Sequence, residues 1–379
     1  SDRSISCMNR SSSILTQSIR RSSSRSVEAR RQRMPAQSPC EEVLAPPSPI
    51  NMAPDTTLRS ATVIPSTTLP LTKSATTVEL QHTVIPDNVL ACLSQSHVRI
   101  KNKERALGKI AKMIQRGRQE LIVISDFDHT LSRAYDEKGE RCWTTHGVFD
   151  NAEKLATLAQ KCKDLSQKYL PIEFDGNMSI AEKIPHMEAW WRKSHDAIVE
   201  QGINRDMLEE LVLKSNIRLR DHSNDMLKQL QDNRVPLVMF SAGIGDIITI
   251  FLSQRLGAVP SNMHLISNMM IFNDKSEISG FREPLIHTFN KNGTVIKQER
   301  EFFHEMEKRS NVILMGDSMG DLHMDVGVEN HKEADTLKIG FLNKKDHLLP
   351  YYLDGYDIVI LDDQSMTVPH SIMSAIVAN

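Results

Sequence analysis

The stretch Ile122-Val123-Ile124-Ser125-Asp126-Phe127-Asp128-His129-Thr130-Leu131-Ser132 constrains the fold more than any other part of the chain. An apolar run stops at two carboxylates one residue apart, and a small hydroxyl residue follows. A strand in which nearly every position is apolar belongs inside a parallel sheet covered on both faces. The aspartates then sit at its carboxyl tip, where open α/β sheets place their ligands. Two carboxylates that close repel each other, and a bound cation is the common remedy. Taken alone, the same residues also describe a strand followed by an Asx-type turn.

The pattern recurs. Val235–Phe240 is an apolar run ending at Ser241-Ala242-Gly243, before a helix reading through Ile247, Ile250, Phe251 and Leu256. Asn311–Met315 ends at Gly316-Asp317-Ser318-Met319-Gly320-Asp321. Between them, Lys291 sits in the polar turn Phe289-Asn290-Lys291-Asn292-Gly293. Shorter strands are expected within Met263–Phe272 and Ile278–Phe289, and a helix over Gln298–Arg309. Final strands are expected over Leu337–Phe341 and Tyr356–Leu361, with a short helix at the C-terminus. Alternating strands and helices imply right-handed crossovers and a mostly parallel sheet.

Upstream, helical spacing covers Asn88–Ser94 and Lys101–Arg116, with Gly117 as C-cap. From Asp150 to about Asn233 the pattern is helical again. Leu155, Leu158, Cys162, Leu165 and Tyr169 make one stripe, and Ser179-Ile180-Ala181-Glu182 is a capping box. That box opens a helix through Trp190, Trp191 and Ser194, and two more helices follow around Met207–Val212 and Met226–Leu230. The expected class is α/β: a Rossmann-like parallel-sheet core with an inserted α-helical cap. The bounds are a tail over 1–85, core over 86–149, cap over 150–233 and core over 234–379.

Residues 1–85 read as disordered. Ser and Arg dominate first (Arg20-Arg21-Ser22-Ser23-Ser24-Arg25), then Pro, Ser and Thr (Pro46-Pro47-Ser48-Pro49), which cannot bury enough apolar surface to offset ordering entropy. A kinase-site tail, an organelle presequence and an RNA or acidic-lipid contact all fit this composition; the tail's partner is not readable. The chain starts at Ser1 rather than Met, which leaves room for a missing or processed N-terminus. A net charge of −2 argues against a whole-protein nucleic-acid binder, and no stable nucleic-acid partner is expected. Cys7, Cys40, Cys92, Cys142 and Cys162 form no CxxC pair, which fits a reducing compartment. Cytoplasmic location is expected, with organelle targeting by the Arg/Ser-rich segment as the alternative. No apolar run reaches the roughly 18 residues of a membrane span, so no membrane partner is expected.

The strand-end residues share one chemistry. A carboxylate attacks phosphorus and forms an aspartyl-phosphate. A second, two residues on, protonates the leaving oxygen and later deprotonates water. A hydroxyl and backbone N–H groups at a helix N-terminus cradle phosphate oxygens. A lysine offsets the charge, and further aspartates hold Mg²⁺. Singly, Ser241 reads as a helix N-cap, Lys291 as a solvated lysine, and Asp317 with Asp321 as a turn. Jointly, in this order and at successive strand ends, they point to phosphoryl transfer.

At this point the chain resembles the haloacid dehalogenase-like phosphohydrolases, whose four motifs appear as DFDHTLS, FSAG, the lysine of FNKNG, and GDSMGD. With KGERC, PIEFD, WWRKSH, FSAGIGDII and ILMGDSMGDLHM, it resembles the cytosolic pyrimidine 5′-nucleotidase family, the type III enzymes, over roughly residues 90–379. The resemblance implies Asp126 as nucleophile and Asp128 as acid/base, with Asp126, Asp128 (through its carbonyl) and Asp317 on Mg²⁺ and Asp321 in support. It implies Ser241, the Ala242 amide and Lys291 on the phosphate, and Glu173 and Ser194 as substrate contacts from the cap.

Trp190 and Trp191 are adjacent on one helix and cannot point the same way, so one of them, Trp191, is the candidate stacking platform for a base. Trp143, Gly147 and Phe149 lie in the hinge segment before the cap. The family contains a branch preferring 7-methylguanosine monophosphate, a cationic base that gains from aromatic stacking. The expected activity is Mg²⁺-dependent hydrolysis of nucleoside 5′-monophosphates, pyrimidine, 7-methylguanosine or both, by a monomer. Alternatives are a related phosphatase acting on another small phosphomonoester such as phosphoserine, and a non-catalytic scaffold.

Overall fold

A computed structural model describes residues 84–150, 155–292, 308–326 and 335–379. The expected tail and the helix over Gln298–Arg309 therefore lie outside the described residues, except at their last two positions each.

The chain opens with α1 (Asp87–Leu93), β1 (Val98–Arg99) and α2 (Lys103–Arg116), then enters β2 (Leu121–Ser125). Among the described residues, a helical turn (Phe127–Leu131) and five α-helices separate β2 from the next strand: α3 (Gly147–Asp150), α4 (Ala156–Glu173), α5 (Ile180–Val199), α6 (Arg205–Leu213) and α7 (Ser223–Asp232). Next come β3 (Leu237–Ile244), α8 (Gly245–Leu256) and β4 (Met263–Asn268), followed by the strand pair β5 (Met270–Phe272) and β6 (Ile278–Phe281). The chain closes with β7 (Asn311–Gly316), β8 (Asp335–Leu342), α9 (Leu349–Gly355), β9 (Ile358–Leu361) and α10 (Thr367–Val377).

Seven strands form one sheet in the order β1-β9-β8-β7-β2-β3-β4. Only β1 runs antiparallel, against β9. Its two residues carry no periodic signal, and the sequence reading had no strand there. Central β2 pairs with β3 on one side and β7 on the other; Ser125 lies opposite Met239 and Met315. The three site-bearing strands are thus neighbours with their carboxyl ends on one edge.

Period-2 alternation splits β2 between two cores. Leu121 and Val123 face the α1, α2, α7, α8 and α10 side, while Ile122 and Ile124 face a second cluster with Tyr352 and Tyr356. The same division holds for Leu237 and Met239 against Val238 and Phe240, and for Ile313 and Met315 against Val312 and Leu314. Full burial of each such side chain stabilises the fold by about 1.5–3 kcal/mol.

Local chemistry sets the helix ends. The Asn102 side chain accepts from Arg105 N at the start of α2, and Gly117 ends it at φ 76°. Ser179 and Glu182 form the reciprocal capping box at the start of α5. The 150–233 segment is helical, but its helices pack in different places. α4 and α5 pack on each other and α5 also lies against β6, whereas α6 packs on α8 and α7 on α10.

One boundary differs from the sequence expectation. β3 continues to Ile244, its register with β4 shifting between Phe240 and Ile244, so Ser241 and Gly243 lie inside an irregular strand end. The short strand expected within Ile278–Phe289 is β6, Ile278–Phe281, after which the chain turns through Pro284 toward the site.

Candidate active site

β2 delivers Asp126 to the sheet edge, where its N–H donates to Met315 O of β7 at 3.0 Å. The chain then turns sharply, with His129 at φ 62°, a conformation few non-glycine residues adopt. This turn brings Asp128 back beside Asp126.

Lys291 is buried and donates to Asp126 Oδ1 at 2.6 Å and Asp321 Oδ1 at 2.7 Å. It is not a solvated lysine: it ties the turn before residue 293 to two strand ends. Thr130 Oγ1 donates weakly to the other oxygen of Asp126 at 3.3 Å. Asp321 Oδ2 accepts from Ser318 N and Oγ at 2.9 and 2.8 Å, so both of its oxygens are engaged. Tyr352 and Tyr356 donate their hydroxyls to the Asp317 and Ser318 carbonyls, fixing this loop from behind.

Carboxylate oxygens of Asp126, Asp317 and Asp321 lie within 4.8 Å of one another. Burial, then repulsion within the cluster, pushes Asp126 and Asp317 up to about 7, with Lys291 opposing. Converging hard oxygen donors short of positive charge fit a divalent cation such as Mg²⁺. Asp128's carboxylate stands outside this group. It accepts from Thr145 N at 2.8 Å and Thr145 Oγ1 at 2.7 Å, and burial with the charge of Asp126 raises it to about 7. Thr145 Oγ1 also accepts from Ile244 N at 3.1 Å, joining the acid to the end of β3.

Ser241 is buried, and its Oγ accepts from Gly243 N at 3.0 Å, leaving its own proton to donate. Ala242 O accepts from Trp191 Nε1 at 2.8 Å and Asn268 Nδ2 at 2.9 Å. Asp126, Asp128, Lys291, Ser241, Ala242 and Asp317 line a cavity of about 720 Å³ whose far wall is α4 and α5. Glu173, Trp190, Trp191 and Ser194 line it from those helices. Both tryptophans contribute, not one; their rings meet at 71° with centroids 5.2 Å apart. Trp190 is backed by Tyr169 at 6.0 Å, and Trp191 meets His146 edge-on at 5.9 Å. Burial pulls His146 down to about 4, so its ring is neutral at pH 7. Glu173 Oε1 accepts from Thr288 Oγ1 at 2.9 Å, and burial raises its carboxyl. Trp143 and Gly147 also line the cavity, while Phe149 is buried in the core.

Sequence reasoning missed His146, Thr288 and Lys345 in the cavity wall, and Thr145 behind Asp128. They lie in irregular segments with no period or motif, so no sequence signal separates them from solvated polar residues.

Sheet order, clustered aspartates at the carboxyl edge and a helical cap together define a haloacid dehalogenase-like phosphohydrolase. Comparison with known proteins narrows this. A family model described as "Pyrimidine 5'-nucleotidase (UMPH-1)" matches residues 129–377. A Caenorhabditis elegans protein named "Putative cytosolic 5'-nucleotidase 3" is 46% identical over 298 residues, covering 77% of this chain and 79% of its own. The Gallus gallus "7-methylguanosine phosphate-specific 5'-nucleotidase" is 40% identical, covering 74% of this chain and 96% of its own. The crystal structure of cytosolic 5′-nucleotidase IIIB bound to cytidine superposes with a TM-score of 0.69 at 32% identity, covering 76% of this chain and 95% of that one. The chain belongs to the pyrimidine 5′-nucleotidase family of phosphomonoester hydrolases.

Proposed function

We propose that this chain hydrolyses nucleoside 5′-monophosphates to nucleoside and phosphate through an aspartyl-phosphate on Asp126. The observation that carries this reading is the buried Asp126 carboxylate, pinned by Lys291 through Oδ1 at the edge of a nucleotide-sized cavity. Its Oδ2 is left to attack phosphorus. Asp128, raised to about 7, is partly protonated at neutral pH and can give its proton to the departing 5′-oxygen, then take one from water. The Ser241 hydroxyl, the Ala242 amide and Lys291 hold phosphate oxygens.

Asp126 and Asp317 would hold Mg²⁺ with the Asp128 carbonyl, and Asp321 keeps Asp317's loop and Lys291 in place. When bound, the cation offsets charge on the carboxylates and the phosphate.

The cap proper is α4 with α5, which carry the base-facing residues. Glu173 Oε2 and the Ser194 hydroxyl would meet polar groups of the nucleoside, and Trp190 and Trp191 would take the base between them. Two indoles favour a cationic 7-methylguanine, while Glu173 accepts from N–H groups on the edge of either base class. We assign both pyrimidine and 7-methylguanosine monophosphates as substrates, in line with the names of the relatives. Cytosolic placement rests on the same names. Among the described residues no helix is long and apolar enough to cross a membrane.

A panel of CMP, UMP, 7-methyl-GMP and phosphoserine with Mg²⁺ tests the assignment by phosphate release. Turnover of the nucleotides without phosphoserine is expected. Turnover of phosphoserine alone would overturn it.

A further inference from the structure

Arg220 is one of the largest wholly buried side chains, 1% exposed, yet among the described residues no carboxylate side chain forms an ion pair with it. Burying a guanidinium without a carboxylate partner is expensive. Its donors are spent on three backbone carbonyls and one side-chain amide instead. Nε donates to Thr130 O at 2.6 Å, Nη2 to His129 O at 2.6 Å and Asn343 Oδ1 at 3.1 Å, and Nη1 to Asp363 O. The guanidinium lies 4.2 Å above the Phe341 ring. Burial lowers it to about 10, so it stays charged at neutral pH.

The two gripped carbonyls belong to the residues directly after Asp128. His129 holds the left-handed φ that folds the turn back, and Thr130 touches Asp126 Oδ2 through its hydroxyl. The forked guanidinium thereby fixes successive peptide planes, a task a lysine ammonium cannot perform in the same way. Asn343 Nδ2 also donates to His129 O at 3.3 Å, so strand end β8 shares the grip.

We infer that Arg220 is a positioning residue that holds the Asp126–Thr130 turn in its reactive shape, and through it the aim of Asp128 at the leaving oxygen. This rests on the roles proposed above for Asp126 and Asp128. A general acid matters for a nucleoside alkoxide, which must be protonated to depart, and little for p-nitrophenolate. Misaiming that acid therefore discriminates between substrates, whereas general loosening does not.

The test compares kcat/KM for CMP or 7-methyl-GMP with that for p-nitrophenyl phosphate, with Mg²⁺, in wild type, Arg220→Lys, Arg220→Ala and Asp126→Asn. Arg220→Lys is expected to lose about 10²-fold on the nucleotide, mostly in kcat, and several-fold less on p-nitrophenyl phosphate. Millimolar guanidinium added to Arg220→Ala should restore nucleotide turnover selectively. Equal losses on both ester types, no loss, or failure of every Arg220 variant to fold would each overturn the positioning role. Activity in Asp126→Asn would instead overturn the mechanism on which it rests.

Discussion

Asp126 is pulled in opposite directions by its neighbours: burial, Asp321 and Asp317 favour its protonated form, and Lys291 favours the carboxylate. The balance leaves Asp126, Asp128 and Asp317 near 7 rather than at their ordinary 3.8. Folding then takes up protons that the unfolded chain has already released. The stabilisation from these protons is full below about pH 4 and is lost as pH rises toward 7. Between pH 5.5 and pH 8, metal-free wild type should therefore lose more melting temperature than metal-free Asp317→Asn, a comparison in which the opposite pull of the buried His129, His146, His195 and His287, all lowered by burial, cancels. Added Mg²⁺ should raise the melting temperature more at pH 8, where the cluster is ionised. Asp317→Asn should raise the metal-free melting temperature at pH 8 by about 2–4 °C and remove most of the Mg²⁺ effect. Differential scanning calorimetry with and without EDTA reads all three. Asp126, Asp128, Ser241 and Asp317 are legible as candidates because each follows an apolar run. Glu173 and Ser194 are not: one acidic and one hydroxyl residue among many in a helical insertion carry no local signal, and only the family resemblance picks them out. Arg220 and Thr145 act by holding backbone and carboxylate in place, which no sequence spacing records.

At the scale of elements, the irregular end of β3 joins the proposed phosphate loop to Thr145, which holds Asp128, and to Trp191 of the cap. A Cβ on Gly243 would stand 2.3 Å from Thr145 Oγ1 and 2.7 Å from Asp128 Oδ2. Gly243→Ala should displace the acid and lower kcat by about 10²-fold while far-ultraviolet circular dichroism stays unchanged. An unaltered kcat would mean the acid does not depend on this packing. On the cap, Glu173→Ala is expected to depress nucleotide hydrolysis much more than that of p-nitrophenyl phosphate, and Trp191→Ala to hurt 7-methyl-GMP more than CMP. Steady-state kinetics on the three esters measures both. Equal losses would detach these side chains from base reading. Elements themselves follow from periodicity where it is strong, as in β2, α2 and α5 with its capping box. Two-residue β1 fails that test because pairing with β9, not its own pattern, makes it a strand.

The described residues are arranged around β2: its two flanking strands bring the Ser241 loop, the proposed phosphate loop, and an acidic loop to the same edge, and the chain between β2 and β3 roofs that edge with α4 and α5. The parallel core is legible because apolar runs alternate with helices. Which inserted helices form the roof is not, since α4 to α7 are all amphipathic to some degree and only their packing separates the roof from the layer on the sheet. The central claim is that phosphate passes through Asp126. Rapid acid quench of the Mg²⁺-loaded enzyme with phosphate-labelled CMP or 7-methyl-GMP, followed by peptide mapping, measures this directly. Hydroxylamine-sensitive label on the peptide containing Asp126, absent from Asp126→Asn, is the expected result; label on another peptide, or label persisting in Asp126→Asn, would contradict it.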